Sequence, residues 1–362
     1  MLVAISLIGL FGAAVLSIDA GSLWSAKRSM VTATDAAALN GAATAQQSGL
    51  TTTGPCTGAV QTSVTNLLTD NQPTATLDAC TVFPKNTKNG YITVDARKPV
   101  SAIFSGVLGI GSSSAFSSTS VEYGFPTAAS NLRPMGICIL NDHVQEWLAL
   151  QNGTMTPAQY AALKGSNPDH PTTYPTSGVV HRIYFDKQNA QSCGADAASG
   201  NWGWQDFNNG GNSSSDLKNW IQNGYSGLVG IHKPVPVCAS GTYDPPTGCI
   251  PGTTGSKGTS GDTQLQYLVD NHVHFSVPLF DSVVYGTGGN ATFTIRAFLG
   301  VILWGFQDNG AETSRYLDVE FTSIQLEGNC CDSSQQDTGA FATFICSTDH
   351  DPVGAAARCT PS

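Results

Sequence analysis

The chain has 362 residues, with charged side chains at 12% and a formal net charge of −10. So sparse and acidic a charge leaves no basic stripe that could neutralise a phosphate backbone, which argues against nucleic acid as a partner. The length allows two domains beyond a leading segment, each able to bury a core.

Met1 to Ile18, MLVAISLIGLFGAAVLSI, carries no charge. The chain then runs through Asp19 into LWSAKRSMVTATDAAALNGAATAQ without a proline or a turn signal. At about 1.5 Å per residue, such a run just reaches across a hydrocarbon core of roughly 30 Å. The expectation is one long helix over residues 1–50, its first half in a membrane and its second half in water. A secretory signal would carry a basic start and a small-x-small cleavage site. The first residues here are uncharged and VLSIDA is a poor cleavage match, so an uncleaved anchor is favoured, with a cleaved signal as the alternative. Lys27 and Arg28, the nearest cations, lie after the span, which the positive-inside rule alone would place in the cytoplasm. The cysteines argue for the outside, and a basic extension before Met1 would reconcile the two. Gly9, Ala13, Ser17, Gly21, Ser25, Ser29, Ala33, Ala37, Gly41 and Ala45 recur at every fourth position. Such small-xxx-small rows allow close helix packing, although a segment this rich in Gly, Ala and Ser produces part of the regularity by composition.

After the leading helix, Val60 to Leu68 reads as a short helix, and Ala75 to Phe83 and Gly90 to Ala96 alternate like strands. Pro99 is placed to open a helix that Gly109 would end. Ser114 to Tyr123 returns as a strand, giving a small β-β-α-β module over residues 51–128 with a linker at Gly124 to Leu132. Residues 129–362 read as a larger extracellular α+β domain. In it Asp142 is expected to cap HVQEWLALQ with Gln145, Thr156 and Pro157 to open a helix closed by Gly165, and Ser214 or Ser215 to cap one stopped by Gly224. Val273 to Tyr285, Ala291 to Phe306 and Tyr316 to Leu326 read as an antiparallel meander forming its core sheet. The fold class is therefore α+β, a long and partly transmembrane helix followed by a pilin-like module and a disulfide-rich antiparallel domain.

The ten cysteines are Cys56, Cys80, Cys138, Cys193, Cys238, Cys249, Cys330, Cys331, Cys346 and Cys359. No CxxC pair or zinc-finger spacing occurs, so disulfides in an oxidising compartment are the expectation. Cys238 and Cys249 bracket a Pro/Gly loop, and Cys56 with Cys80 would tie a helix to the next strand. Adjacent Cys330 and Cys331 are expected to reach Cys346 and Cys359 rather than each other.

Motifs for chemistry are scarce. His272 and His274, two apart on an expected strand, would share a face, but no third ligand is identifiable and surface or core-edge histidines are the simpler reading. Asp206, Asn208, Gly210 and Asp216 faintly echo a calcium loop, but Leu217 stands where the bidentate glutamate belongs, so a hydrogen-bonded turn is expected. Trp202 and Trp204 are read as core before recognition surface. Asp349, His350 and Asp351 form a charged turn without nucleophile-and-base geometry. Asn152, Asn212 and Asn290 begin N-x-S/T sequons, consistent with surface loops. There is no G-x-S-x-G, Walker loop or H-E-x-x-H. No catalytic residue, metal or cofactor is assigned.

The apolar span, then IDAGSLWSAKRSM, then ATDAAALNGAATA resembles the TadE/TadG-like family of Flp (tight adherence) pilus-assembly proteins. The residues carrying the resemblance are Asp19, Gly21, Trp24, Lys27, Arg28 and Asp35 to Leu39. Looser similarity continues through YITVDARKPVSAIFSGVLGIGSSSAFSSTSVEYG, GNWGWQDFNNGGNSSSDLKNWIQNGYSG and HVHFSVPLFDSVVYGTGGNATFTIRAFLGVILWGF. Two departures stand out. Ile5 occupies the place of the glutamate that prepilin-peptidase substrates carry, and no D-x-S-x-S loop of a von Willebrand A domain is present. The resemblance implies a membrane-anchored, non-enzymatic pilus-assembly or minor pilin-like component, outside the cell or within a pilus. Its partners would be membrane lipid and other pilus-assembly or pilin-like subunits met through the N-terminal helix. A surface-anchored adhesin or ligand-binding protein is the alternative, and an extracellular hydrolase a third.

Overall fold

The structure, a computed structural model, describes residues 2–101, 113–184, 193, 203–210, 214–232, 237–252, 261–285, 291–309, 314–332 and 334–348, without the side chains of residues 2–16, 285, 347 and 348. Two compact units are present: Met1–Gly124 with Thr343–Ser362, and Phe125–Ala342.

The first unit opens with α1 (Leu2–Ser48), a single 47-residue helix. β1 (Gly54–Pro55), α2 (Gly58–Asn71), β2 (Thr76–Pro84), β3 (Gly90–Val100) and β4 (Ser113–Gly124) follow. The strands lie in the order β1-β2-β3-β4, antiparallel throughout, with the chain's last strand beyond β4. β3 and β4 alternate strictly: Ile92, Val94 and Ala96, and Ala115, Val121 and Tyr123, face a core built with Val60, Val64 and Leu68 of α2. The helical side of that core is almost entirely small. Ala33, Ala37, Ala38, Ala42 and Ala45 of α1 are each at most 1% exposed. A Cβ on Gly41 would lie 2.5 Å from Val64 Cγ2 and 2.9 Å from Ile92 Cδ1, so only glycine lets the helix approach this closely.

Two polar contacts fix the helix along β4. Thr119 Oγ1 donates to Asp35 Oδ1 at 2.6 Å, and Lys27 Nζ donates to the Phe116 carbonyl. The expected helix at Pro99 does not form there. Pro99 and Val100 close β3, paired with Ser114 and Ser113. β2 stops pairing at Arg97, so the proline sits where β3 has a single neighbour and tolerates a missing N–H. The rest of that expected helix lies outside the described residues.

The second unit begins with β5 (Pro126–Ala129), a buried strand inside the segment expected to be a linker. Next come β6 (Ile137–Cys138), α3 (Asp142–Gln151), α4 (Pro157–Ala161), β7 (Val180–Tyr184), α5 (Ser214–Asn223), β8 (Val229–Gly230), β9 (Cys249–Pro251) and α6 (Asp262–Asp270). The meander is β10 (His274–Tyr285), β11 (Ala291–Gln307) and β12 (Tyr316–Thr322), followed by β13 (Ile324–Gln325), β14 (Gly328–Cys330) and β15 (Ala340–Thr348). The main sheet runs β6-β10-β11-β12-β7, with β9 also on β11. α3 starts one residue earlier than its expected cap: Asn141 Oδ1 accepts from His143 N at 3.0 Å, making Asp142 the first helical residue. Thr156 and Gln159 form the capping box of α4, and Gly224 ends α5 in the left-handed region at φ 83°.

Disulfides join Cys56–Cys80, Cys138–Cys193 and Cys238–Cys249. Cys330 and Cys331 pair with each other, contrary to expectation: their peptide bond is cis and brings the Cα atoms to 3.1 Å. Cys346 is also disulfide-bonded, and Cys359 lies outside the described residues. Among the described residues there is no free cysteine, which points to an oxidising environment.

The packing of α1 separates two glycines. Gly41→Val should destabilise the first unit by about 1–3 kcal/mol through overpacking. Gly21→Ala, where a new Cβ meets nothing within 4 Å, should stabilise the helix by up to about 1 kcal/mol. Urea denaturation of both variants checks the contrast, and equal effects would contradict the assigned packing.

Candidate metal centre

The site is built from three elements of the second unit. α3 carries His143 and Glu146 three residues apart, which puts them on one helix face. The adjoining face, Val144, Trp147 and Leu148, is buried, and Trp147 Nε1 donates to Thr338 O at 2.7 Å, which fixes the helix's rotation. The turn after α4 supplies His170, its backbone held by Gly165 N to His170 O at 2.9 Å and His170 N to Asn167 O at 3.1 Å. β7, the edge strand beside β12, supplies His181, whose ring stacks on Phe321 with centroids 4.7 Å apart.

These side chains converge on one oxygen. Glu146 Oε2 lies 3.1 Å from His143 Nδ1, 3.1 Å from His170 Nε2 and 3.6 Å from His181 Nδ1. All four atoms fall within 4.8 Å of one another. His170 and His181 are 1% and 0% exposed, and His181 Nδ1 has no hydrogen-bond partner. The far nitrogens of the buried rings are held from behind. Tyr160 Oη lies 2.8 Å from His181 Nε2, and Ser166 Oγ lies 3.2 Å from His170 Nδ1.

Burial, then the neighbouring His143 and His170, depresses the His181 imidazolium well below its ordinary value, so this ring is neutral at physiological pH. Burial pushes the Glu146 carboxyl up, but hydrogen bonds and charge from His143 and His170 outweigh it and hold the group ionised below its usual range. Tyr160 is kept a phenol, chiefly by burial and then by Glu146 and Glu320. Neutral imidazole and ionised carboxylate are the forms that ligate a transition metal.

The residues singled out from sequence lie elsewhere. His272 is not on a strand: it sits in a left-handed turn at φ 45°, its ring 4.4 Å from Trp304, and both it and His274 are exposed. Asn208 Oδ1 accepts from Gly210 N at 2.8 Å, the local turn expected of that loop, with Asp206 buried. Trp204 is core, while Trp202, Asn212, Asn290 and Asp349 to Asp351 lie outside the described residues; Asn152 is exposed after α3. His232, Cys238 and Cys249 also cluster, but their sulfurs are joined in a disulfide and cannot ligate. Of the small-residue row, Ala33, Ala37, Gly41 and Ala45 are buried within the first unit, Ser17, Gly21 and Ser25 are exposed, Ser29 is half-buried, and the side chain of Ala13 and the surroundings of Gly9 lie outside the described set. The convergent group escaped the sequence because its spacing follows no motif. The one local signal is His143 with Glu146 at helical spacing. Comparison with protein-family models, curated proteins and solved structures finds no match.

The His181 shift gives a pH dependence. Below about 6.5 the unfolded chain takes up a proton that the folded site refuses, so this contribution is full above that value and is lost as pH falls. Glu146 adds a loss of the same sign below the ordinary carboxylate range. Asp308, pushed up to about 7 by burial and then Asp262, acts oppositely, because its contribution fades as pH rises toward that value. The comparison of wild type with His181→Gln removes the Asp308 effect. Urea titrations from about pH 7.5 to about pH 5 should show wild type losing its advantage at up to about 1.4 kcal/mol per pH unit. A constant difference would contradict a neutral buried ring.

Proposed function

We propose that this protein is a single-pass, membrane-anchored component of a Flp/Tad-type surface appendage, a minor pilin-like or assembly-scaffold part with its bulk outside the cell. The observation that carries the proposal is the division of α1. From Met30 to Gln46 one face of the helix is sealed against α2, β3 and β4. Nearer its start the helix leaves an apolar collar uncovered: Ile18, Trp24 and Phe116 are 48%, 65% and 46% exposed. Leu23, Ala20 and Ala115 line the groove between them. Lys27 Nζ lies 6.0 Å from the Phe116 ring centroid.

An exposed tryptophan and phenylalanine suit the lipid–water boundary, where amphipathic rings settle. Trp24 and Lys27 follow the uncharged run Met1 to Ile18 closely in sequence, and Phe116 meets them from β4. Among the described residues no helix is long and apolar enough to cross a membrane. The anchor reading therefore rests on the composition of that run, whose side chains fall outside the description up to Leu16. Gly9, Ala13, Ser17 and Gly21 would then pack against the helices of neighbouring subunits. Asp35 and Lys27, both in the blocks that resemble the TadE/TadG-like family, contact Thr119 and Phe116 of β4 and so support the same assignment.

Gly21→Leu, placed on the exposed face, should leave the protein folded with a denaturation midpoint no lower than that of wild type, while lowering surface pili by about tenfold, in line with lost close helix packing. Deleting the gene should do the same or more. Electron microscopy with pilus counts is the measurement, and undiminished pili in both strains would overturn the proposal.

A further inference from the structure

We infer that His143, His170, His181 and Glu146 form a binding site for a divalent transition-metal ion of the zinc class, acting as a structural clasp. The inference is independent of the pilus reading. Zinc bonds of about 2.0–2.1 Å to imidazole nitrogen and carboxylate oxygen set ligand separations of roughly 3.3–3.4 Å in a tetrahedron. The three distances from Glu146 Oε2, 3.1, 3.1 and 3.6 Å, bracket that edge.

The surroundings are those of a ligand set. His181 Nδ1, fully buried and without a hydrogen-bond partner, points at the shared oxygen. In the tautomer whose Nε2–H donates to Tyr160 Oη, 2.8 Å away, the Nδ1 lone pair would face the centre. Ser166 orients His170 in the same manner. Outer contacts of this kind fix ring orientation and tautomer in metal sites. The donor set, three imidazoles and one carboxylate, suits zinc and its first-row neighbours better than magnesium or calcium, which take oxygen ligands. Four protein ligands fill a tetrahedral shell, the closed arrangement of structural sites.

The chain around the site has need of a clasp. Between α3 and β7, over residues 152–178, the buried residues are Tyr160 and His170, one supporting a ligand and the other a ligand itself. Tyr160 joins the core and Met155 and Leu163 pack partly buried against it, and an ion bridging α3, the turn at His170 and β7 would add a tie between the two ends of the stretch and its middle.

The test uses the full chain without a histidine tag, stripped with chelator and titrated with zinc chloride by calorimetry, with metal content by mass spectrometry. About one zinc ion per chain is expected, with a rise in melting temperature. His143→Ala, at the solvent side of the cluster, and Glu146→Gln should abolish stoichiometric binding. Tyr160→Phe should weaken it about 10- to 100-fold. His272→Ala with His274→Ala should leave it unchanged. Cobalt(II) should give the intense visible bands of a tetrahedral ion. Apo circular dichroism of each variant shows whether it is folded. If His143→Ala misfolds, Glu146→Gln and the cobalt spectrum still decide. No stoichiometric zinc, binding that survives Glu146→Gln, or a weak octahedral cobalt spectrum would overturn the inference.

Discussion

The constraint on which the first unit rests is the closeness of α1 to its sheet. A helix can sit this near a sheet and a second helix only where its inward face has small side chains, and from Ala33 to Ala45 the buried residues are alanines with Thr34 and Gly41. Close approach brings backbone and methyl groups into dense contact, so dispersion and exclusion of water act over the whole length of the seam. It also lets Asp35 reach Thr119, a short bond that sets how far the helix slides along β4. The tight seam begins at Met30, and nearer the start of the helix Ile18 and Trp24, with Phe116 of β4, stay exposed.

The second unit is organised differently. Its core is the long β10–β11 hairpin, whose apolar residues continue on both faces of β11, buried at nearly every position from Ala291 to Leu303. Such a strand needs cover on both sides, which α3, α6 and the shorter strands provide. The stretch between α3 and β7 carries less apolar burial, with Tyr160 in the core and Met155 and Leu163 partly buried against it. There polar groups take over: a carboxylate, three imidazoles, a phenol and a hydroxyl arranged around one point. Buried polar clusters of this kind are expensive to leave partly satisfied, so an unpartnered buried nitrogen among them is informative.

Much of the fold was legible in the sequence, because alternation and capping are local signals. The strands around Ile92 and Val121, the start of α4 at Thr156 and Pro157 and the meander all follow from residue order. So do the Cys56–Cys80 and Cys238–Cys249 pairs, each between segments that the chain brings back quickly. The failures were also local. Asn141 and Asp142 are both good caps and the pattern could not rank them. Pro99 reads as a helix start until the neighbouring strand is known to end. The Cys330–Cys331 pairing joins sequence neighbours, which no spacing announces. The histidine cluster was illegible for a deeper reason: only the return of β7 to the sheet edge brings His181 back to a helix that precedes it by more than thirty residues.

The tethering helix is the claim that most directly links structure to biology. Fractionation of native cells, with mass spectrometry of the protein's N-terminal peptide, tests it in one measurement. Recovery from the membrane or from sheared pili with the apolar run up to Ile18 still attached is the outcome predicted here. A freely secreted protein whose first residue lies beyond Asp19 would contradict it.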